Sequence, residues 1–127
     1  MQILLAVATG SATGGIARYL MSGALQPNTP GSFPLGTLLV NLLGSFILGA
    51  VARYATMTPS FSPELRVLLG AGFCGGFTTF STFSIETLDL MQGGHYSKAL
   101  GYVGVSVVAA LACAALGMAA VRTLLEN

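Results

Sequence analysis

The chain has 127 residues, of which 54% are hydrophobic and 7% charged, with 17 glycines, no tryptophan and a net charge of +1. Its mean hydropathy is +0.79, whereas soluble domains carry about 25% charged residues, so too few polar side chains exist to cover a water-facing surface. The near-zero charge leaves no basic stripe to neutralise phosphates, which excludes nucleic acid as a partner.

A bilayer-spanning helix needs about 20 mostly apolar residues. The first such stretch runs from about Ile3 to Leu25. It has no basic segment ahead of it and three further apolar stretches behind it, so it is expected to be a span and not a signal peptide. Gly10 and Gly14 form a GxxxG pair suited to packing against another helix. Gln26 to Pro34 holds three prolines and a glycine and is expected to be a loop. The second span runs from about Leu35 to Tyr54, with Thr56 to Pro63 as the next turn. Pro63 and Glu64 suit a helix start, the acid lying near the positive end of the helix dipole. The third span runs from about Glu64 to Met91, closed by Gly93, Gly94 and His95. The fourth runs from about Ser97 to Leu125. Almost nothing is left over, so residues 1–127 are expected to form one transmembrane domain.

The middle of the third span reads Gly70-Ala71-Gly72-Phe73-Cys74-Gly75-Gly76, then Phe77-Thr78-Thr79-Phe80-Ser81-Thr82-Phe83-Ser84. Paired glycines followed by paired threonines make a poor continuous helix. A break is expected near Gly75 to Thr79, giving two half-helices. Broken backbone at membrane depth must be satisfied internally, so it lines a cavity or binds an ion. The alternative is a simple kink packed against a neighbour. Cys74 and Cys113 lie in apolar stretches and read as small buried fillers, with no context for a disulfide or a metal site.

Arg53, Arg66 and Arg122 fall towards one side of the membrane, and Arg18 and Lys98 towards the other. That balance is too even for the positive-inside rule to set one orientation. Either the chain inserts both ways, and opposite copies pair as an antiparallel dimer, or a small preference selects one orientation.

Polar residues share helix faces. Thr37, Asn41 and Ser45 repeat every four residues on the second span. Thr79, Thr82, Phe83 and Glu86 share a face of the third, with Phe80 at its edge, and Tyr102 and Ser106 share one on the fourth, continuing into Ala110 and Cys113. Asn41 and Glu86 are the costliest of these in lipid, and such groups often mark a substrate pathway. The plainer alternatives are an interhelical hydrogen bond for Asn41 and an interfacial position for Glu86, as for Asp89. Hydroxyl and amide hydrogens can replace the water shell of an anion. The positive ring edges of Phe80 and Phe83 can face one too. The residues therefore describe a narrow, weakly charged pathway suited to a small anion, without specifying which.

The segment Gly75-Gly76-Phe77-Thr78-Thr79-Phe80-Ser81-Thr82-Phe83-Ser84, with Glu86 beyond it, resembles the signature of the Fluc family of fluoride channels. Gly14 to Tyr19, Gly36 to Gly44 and Gly101 to Ser106 are similar to the family's segments in the other three helices. The resemblance implies an all-α integral membrane protein of four helices, the third broken, working in the cell (inner) membrane as an antiparallel homodimer that exports fluoride passively and protects the cell. It implies a fluoride path along Asn41, Phe80, Phe83, Thr79, Thr82, Tyr102 and Ser106, with Glu86 as a further candidate and Arg18 near a vestibule. It also implies a structural sodium ion at the dimer axis, held by the backbone carbonyls of Gly75 and Thr78 from each copy; carbonyl oxygens suit a hard cation. One departure stands out. Some relatives carry a second serine one turn beyond Ser106, where this chain has Ala110.

A small multidrug transporter would need a membrane-embedded acid in the first span, and Ile3 to Leu25 has none. A purely structural subunit would have no reason for the Thr/Ser/Phe face. The single histidine, His95, lies in a loop, and no nucleophile–base pair or metal cluster can be assembled, which argues against an enzyme.

Overall fold

In a computed structural model describing residues 1–27 and 29–126, four segments are long and apolar enough to cross a membrane: Gln2–Leu25, Leu35–Met57, Pro63–Gln92 and Tyr96–Glu126. Asn28, part of the expected first loop, lies outside the described residues. The first span is α1 (Gln2–Leu25) and the second α2 (Leu35–Met57). The third is composite: α3 (Pro63–Val67), a π-helical stretch (Leu68–Cys74), α4 (Gly75–Phe77) and, after an interruption, α5 (Phe80–Gln92). The fourth is α6 (Tyr96–Glu126). The all-helical, four-span architecture with a broken third span is therefore as the sequence leads one to expect.

The break falls at the threonine end of the expected Gly75 to Thr79 stretch. Gly75 and Gly76 are helical; Thr78 and Thr79 carry the extended backbone, with φ/ψ of −80°/157° and −150°/115°. β-branched side chains tolerate that conformation well. Gly76 and Gly72 serve packing instead. A Cβ on Gly76 would sit 2.5 Å from the carbonyl oxygen of Ser11, and one on Gly72 would sit 3.0 Å from Gly10 Cα. Gly10 and Gly14 approach the backbone of Leu68, Gly72, Phe73 and Phe77 equally closely. Small residues thus bring α1 and the third span into backbone contact, as membrane helix pairs require. Ser11 Oγ–H reaches Gly72 O across that seam at 3.5 Å.

A second seam joins α2 and α6. A Cβ on Gly49 would run into the backbone of Ala114, and one on Gly117 into that of Phe46 and Ala50. In both seams contacting positions rise together in number, so α1 runs parallel to the third span and α2 parallel to α6. α2 sits at the centre, with 33% of its most apolar window buried, while α6 lies at the edge, with 6% buried. Exposed Leu100, Val108 and Leu111 give α6 a face for hydrocarbon.

Ser62 starts α3: its Oγ accepts from Leu65 N at 3.2 Å, with Pro63 at the first turn and Glu64 beside it. At the opposite end of the bundle, Lys98 Nζ donates to Gly31 O at 2.7 Å and Gln26 Oε1 accepts from Gly36 N at 3.2 Å, fastening the loop before α2.

Candidate functional site

Interrupting a helix frees backbone groups that lipid cannot satisfy. In a continuous helix Thr79 N–H would bond to Gly75 O. Here it donates instead to Asn41 Oδ1 at 2.7 Å, while Asn41 Nδ2 donates to Thr79 O at 3.0 Å. The Asn41 amide therefore clamps both backbone groups of Thr79. Thr79 also caps α5: its Oγ1 accepts from Thr82 N at 3.2 Å and lies 2.8 Å from Thr82 Oγ1. Thr78 Oγ1 folds back to Cys74 O at 2.9 Å. Arg18 Nη1 reaches Thr78 O at 3.4 Å, which sets the first-span arginine against the break.

A cavity of about 380 Å3 opens beside the break. Asn41, Gly44, Ser45 and Leu48 of α2 line it with Thr78 and Thr79. Phe80 and Phe83 of α5 and Ser106, Val107, Ala110 and Leu111 of α6 complete its wall. The two phenyl centroids are 5.4 Å apart. Phe80 is 78% exposed, so one edge of the cavity is left to whatever surrounds the chain. Ser106 Oγ is buried and has no hydrogen-bond partner, an unusual state for a hydroxyl among apolar side chains.

Beyond Phe83 the polar groups continue in a chain. Phe83 packs against Tyr102 with centroids 5.1 Å apart. Tyr102 is fully buried, and its hydroxyl donates to Glu86 Oε2 at 2.7 Å. Thr37 Oγ1 donates to Glu86 Oε1 at 2.8 Å. Each carboxylate oxygen thus has a donor from a different span, a charge-assisted arrangement. Glu86 also borders a second cavity of about 290 Å3, whose wall is shared by Asp89, Leu90 and loop residues such as Gln26, Thr29, Gly31 and Pro34. Glu86 is therefore no loose interfacial acid, whereas Asp89 is exposed.

The residues picked out from the sequence fall into two groups. Asn41, Thr79, Phe80, Phe83 and Ser106 border the first cavity. Thr82, Tyr102 and Glu86 do not; they join it through hydrogen bonds and ring contacts. Two residues of the α2 stripe had received no role: Thr37, now a Glu86 partner, and Ser45, now a cavity wall.

The carbonyls of Gly75 and Thr78 are of the donor type a hard cation takes, although Thr78 O already accepts from the Arg18 guanidinium at 3.4 Å. Gly75 O has lost the Thr79 amide, and Thr78 O is turned out of the helix by its extended ψ of 157°. No group of three or more His, Cys, Asp or Glu side chains that could hold a metal exists among the described residues.

Four spans, an interruption sealed by a side-chain amide and, beside it, an open and mostly apolar cavity edged by a few polar groups define a multi-pass membrane protein. The family model "CrcB-like protein, Camphor Resistance (CrcB)" matches residues 5–118, and the chain belongs to that family. It is 47% identical over 115 residues to the "Fluoride-specific ion channel FluC" of Leptospira interrogans serovar copenhageni, covering 91% of each chain. The protein of the same name from Chlorobaculum tepidum is 47% identical over 113 residues, 89% of each chain. That from Geobacter sulfurreducens is 43% identical over 124 residues, 98% of this chain and all of the relative. The resemblance noted in the third-span motif is thereby borne out.

Proposed function

We propose that this chain is a fluoride-selective channel that lets the ion leave the cell passively and so relieves fluoride toxicity. The observation that carries the proposal is the cavity in which the buried, unpartnered Ser106 hydroxyl meets Asn41 and the Phe80–Phe83 pair. A small anion stripped of water needs compact donors and positive ring edges, and it is repelled by acceptors and ring faces. Asn41 Nδ2 carries a second hydrogen beyond the one given to Thr79 O. The amino end of α5 adds the positive end of a half-helix dipole at the same level. Nothing in the cavity wall carries a formal charge, which keeps binding weak enough for release.

Two inverted copies complete the path. The near-even division of basic residues supports insertion both ways. Lys98 lies at the loop end of the bundle, tied to Gly31, with Arg53 and Arg66 at the opposite end of their spans. The exposed flank of Phe80 would face hydrocarbon in a lone chain; a partner copy closes it. Between the copies, Gly75 and Thr78 carbonyls from each would hold a sodium ion. Its positive charge would pin the two interrupted spans together. Arg18 stands near Thr78 O as a further positive group that draws anions towards the break.

Cells lacking their own fluoride exporter should regain growth on fluoride-containing medium when they express this chain. They should gain nothing under matched chloride stress. Rescue by neither expression nor overexpression of membrane-inserted protein would contradict the proposal.

A further inference from the structure

The parallel seam between α2 and α6 sets the levels of the cavity. Gly49 meets Ala114 and Leu38 clusters with Tyr102, offsets of 65 and 64 positions. With the Gly117 contacts at Phe46 and Ala50, these place Asn41 and Ser106 on one stretch of the seam and Ser45 and Ala110 on the next. All four border the cavity. At the first level both walls supply a donor. At the second, Ala110 supplies none and Ser45 stands alone. Its hydroxyl has no hydrogen-bond partner among the described residues. This is notable, because helical serines commonly bond back to the carbonyl one turn earlier, as Ser84 does to Phe80 O at 2.9 Å.

We infer that Ser45 is a second anion-binding station of the pathway, one turn beyond the Asn41–Ser106 level; the inference rests on the fluoride-channel proposal. The two stations lie about 6 Å apart along α2, four residues at 1.5 Å each. That spacing matters for conduction. An ion leaves a binding site readily only when a neighbouring site can accept it, so a path with one donor level would trap or repel the ion. Ser45 Oγ–H takes over the ion on the side of the Asn41–Ser106 level that lies away from Phe83 and Glu86. The α2 hydroxyl thereby does at this level what a serine at position 110 would do from α6.

The test uses four purified proteins in liposomes, with fluoride efflux read by an ion-selective electrode: wild type, Ser45→Ala, Ala110→Ser and the double variant. Ser45→Ala should slow fluoride efflux about tenfold, the effect of losing one hydrogen bond to an ion. Its melting temperature in detergent should stay unchanged. Adding Ala110→Ser to Ser45→Ala should restore most of the flux, because a hydroxyl returns to the same level from the opposite wall. A packing role for Ser45 would not be rescued in that way. Ser45→Cys keeps the side-chain shape with a weak donor and should also be slow, which provides a reading if the alanine variant folds poorly. Wild-type flux in Ser45→Ala, or a double variant as slow as the single, would overturn the station while leaving the channel intact. A wild-type protein that passes no fluoride would overturn the channel proposal itself, and the station with it.

Discussion

Asn41→Ala should cost about 2–5 kcal/mol of stability and abolish measurable fluoride flux. The amide satisfies both backbone groups of Thr79, at 2.7 Å and 3.0 Å. Each buried group left unpaired costs about 1–3 kcal/mol, and lipid offers no water to replace the partner. Asn41→Asp separates the two bonds. Its carboxylate can still accept from Thr79 N–H but sets an oxygen against Thr79 O. It should therefore be at least as damaging as alanine, with the melting temperature of the detergent-solubilised protein as the readout. A melting temperature and flux unchanged in both variants would mean that other groups hold the break, and that the amide contributes nothing to permeation.

Phe80→Ile and Phe83→Ile should leave the fold in place and reduce fluoride flux about fivefold each. Isoleucine retains apolar bulk but has no ring edge. A ring-edge contact of aromatic-pair strength is worth about 1 kcal/mol, and each 1.4 kcal/mol is tenfold in rate. The two variants should differ in stability. Phe80 is 78% exposed in the single chain and contacts Phe83 alone among the aromatic rings. Phe83 also braces Tyr102, whose hydroxyl holds Glu86. Phe83→Ile should therefore destabilise more than Phe80→Ile, by the packing lost at Tyr102. Equal flux to wild type in both would remove the rings from the path.

How much of this was legible beforehand follows from how local each feature is. Spans could be read because hydropathy accumulates over about 20 neighbouring residues, and Pro27, Pro30 and Pro34 mark where it stops. The break was legible from composition, though its mechanism was not. The glycine pair and the threonine pair together marked the weak point; Gly76 is used to bring α1 close, and the threonines carry the extended backbone. The π-helical stretch at Leu68–Cys74 left no sequence signal, since Gly70 and Gly72 suit either helix type. The stripe Thr37–Asn41–Ser45 was visible as a period of four. Its partners were not, because Glu86, Thr79 and Ala110 lie on other spans and only the packing brings them level. Asn41 shows the consequence. An interhelical hydrogen bond and a pathway position stood as alternatives, and the structure gives it two bonds to Thr79 as well as a place on the cavity wall.

The same logic connects stability to conduction. The half-helix that begins at Phe80 is capped by Thr79, and Thr79 is held by Asn41. Ring positions in the cavity are therefore fixed by the groups that repair the broken backbone. An interruption that would be a liability in lipid becomes the means of presenting donors at membrane depth.

The most direct measurement is efflux from liposomes loaded with fluoride or with chloride, carrying the purified chain at a low protein-to-lipid ratio. Fluoride should escape rapidly once the membrane potential is relieved, and chloride should stay inside. Vesicles that remain tight to fluoride, or that release both ions alike, would contradict the assignment of the Asn41–Phe80–Phe83–Ser106 cavity as a fluoride passage.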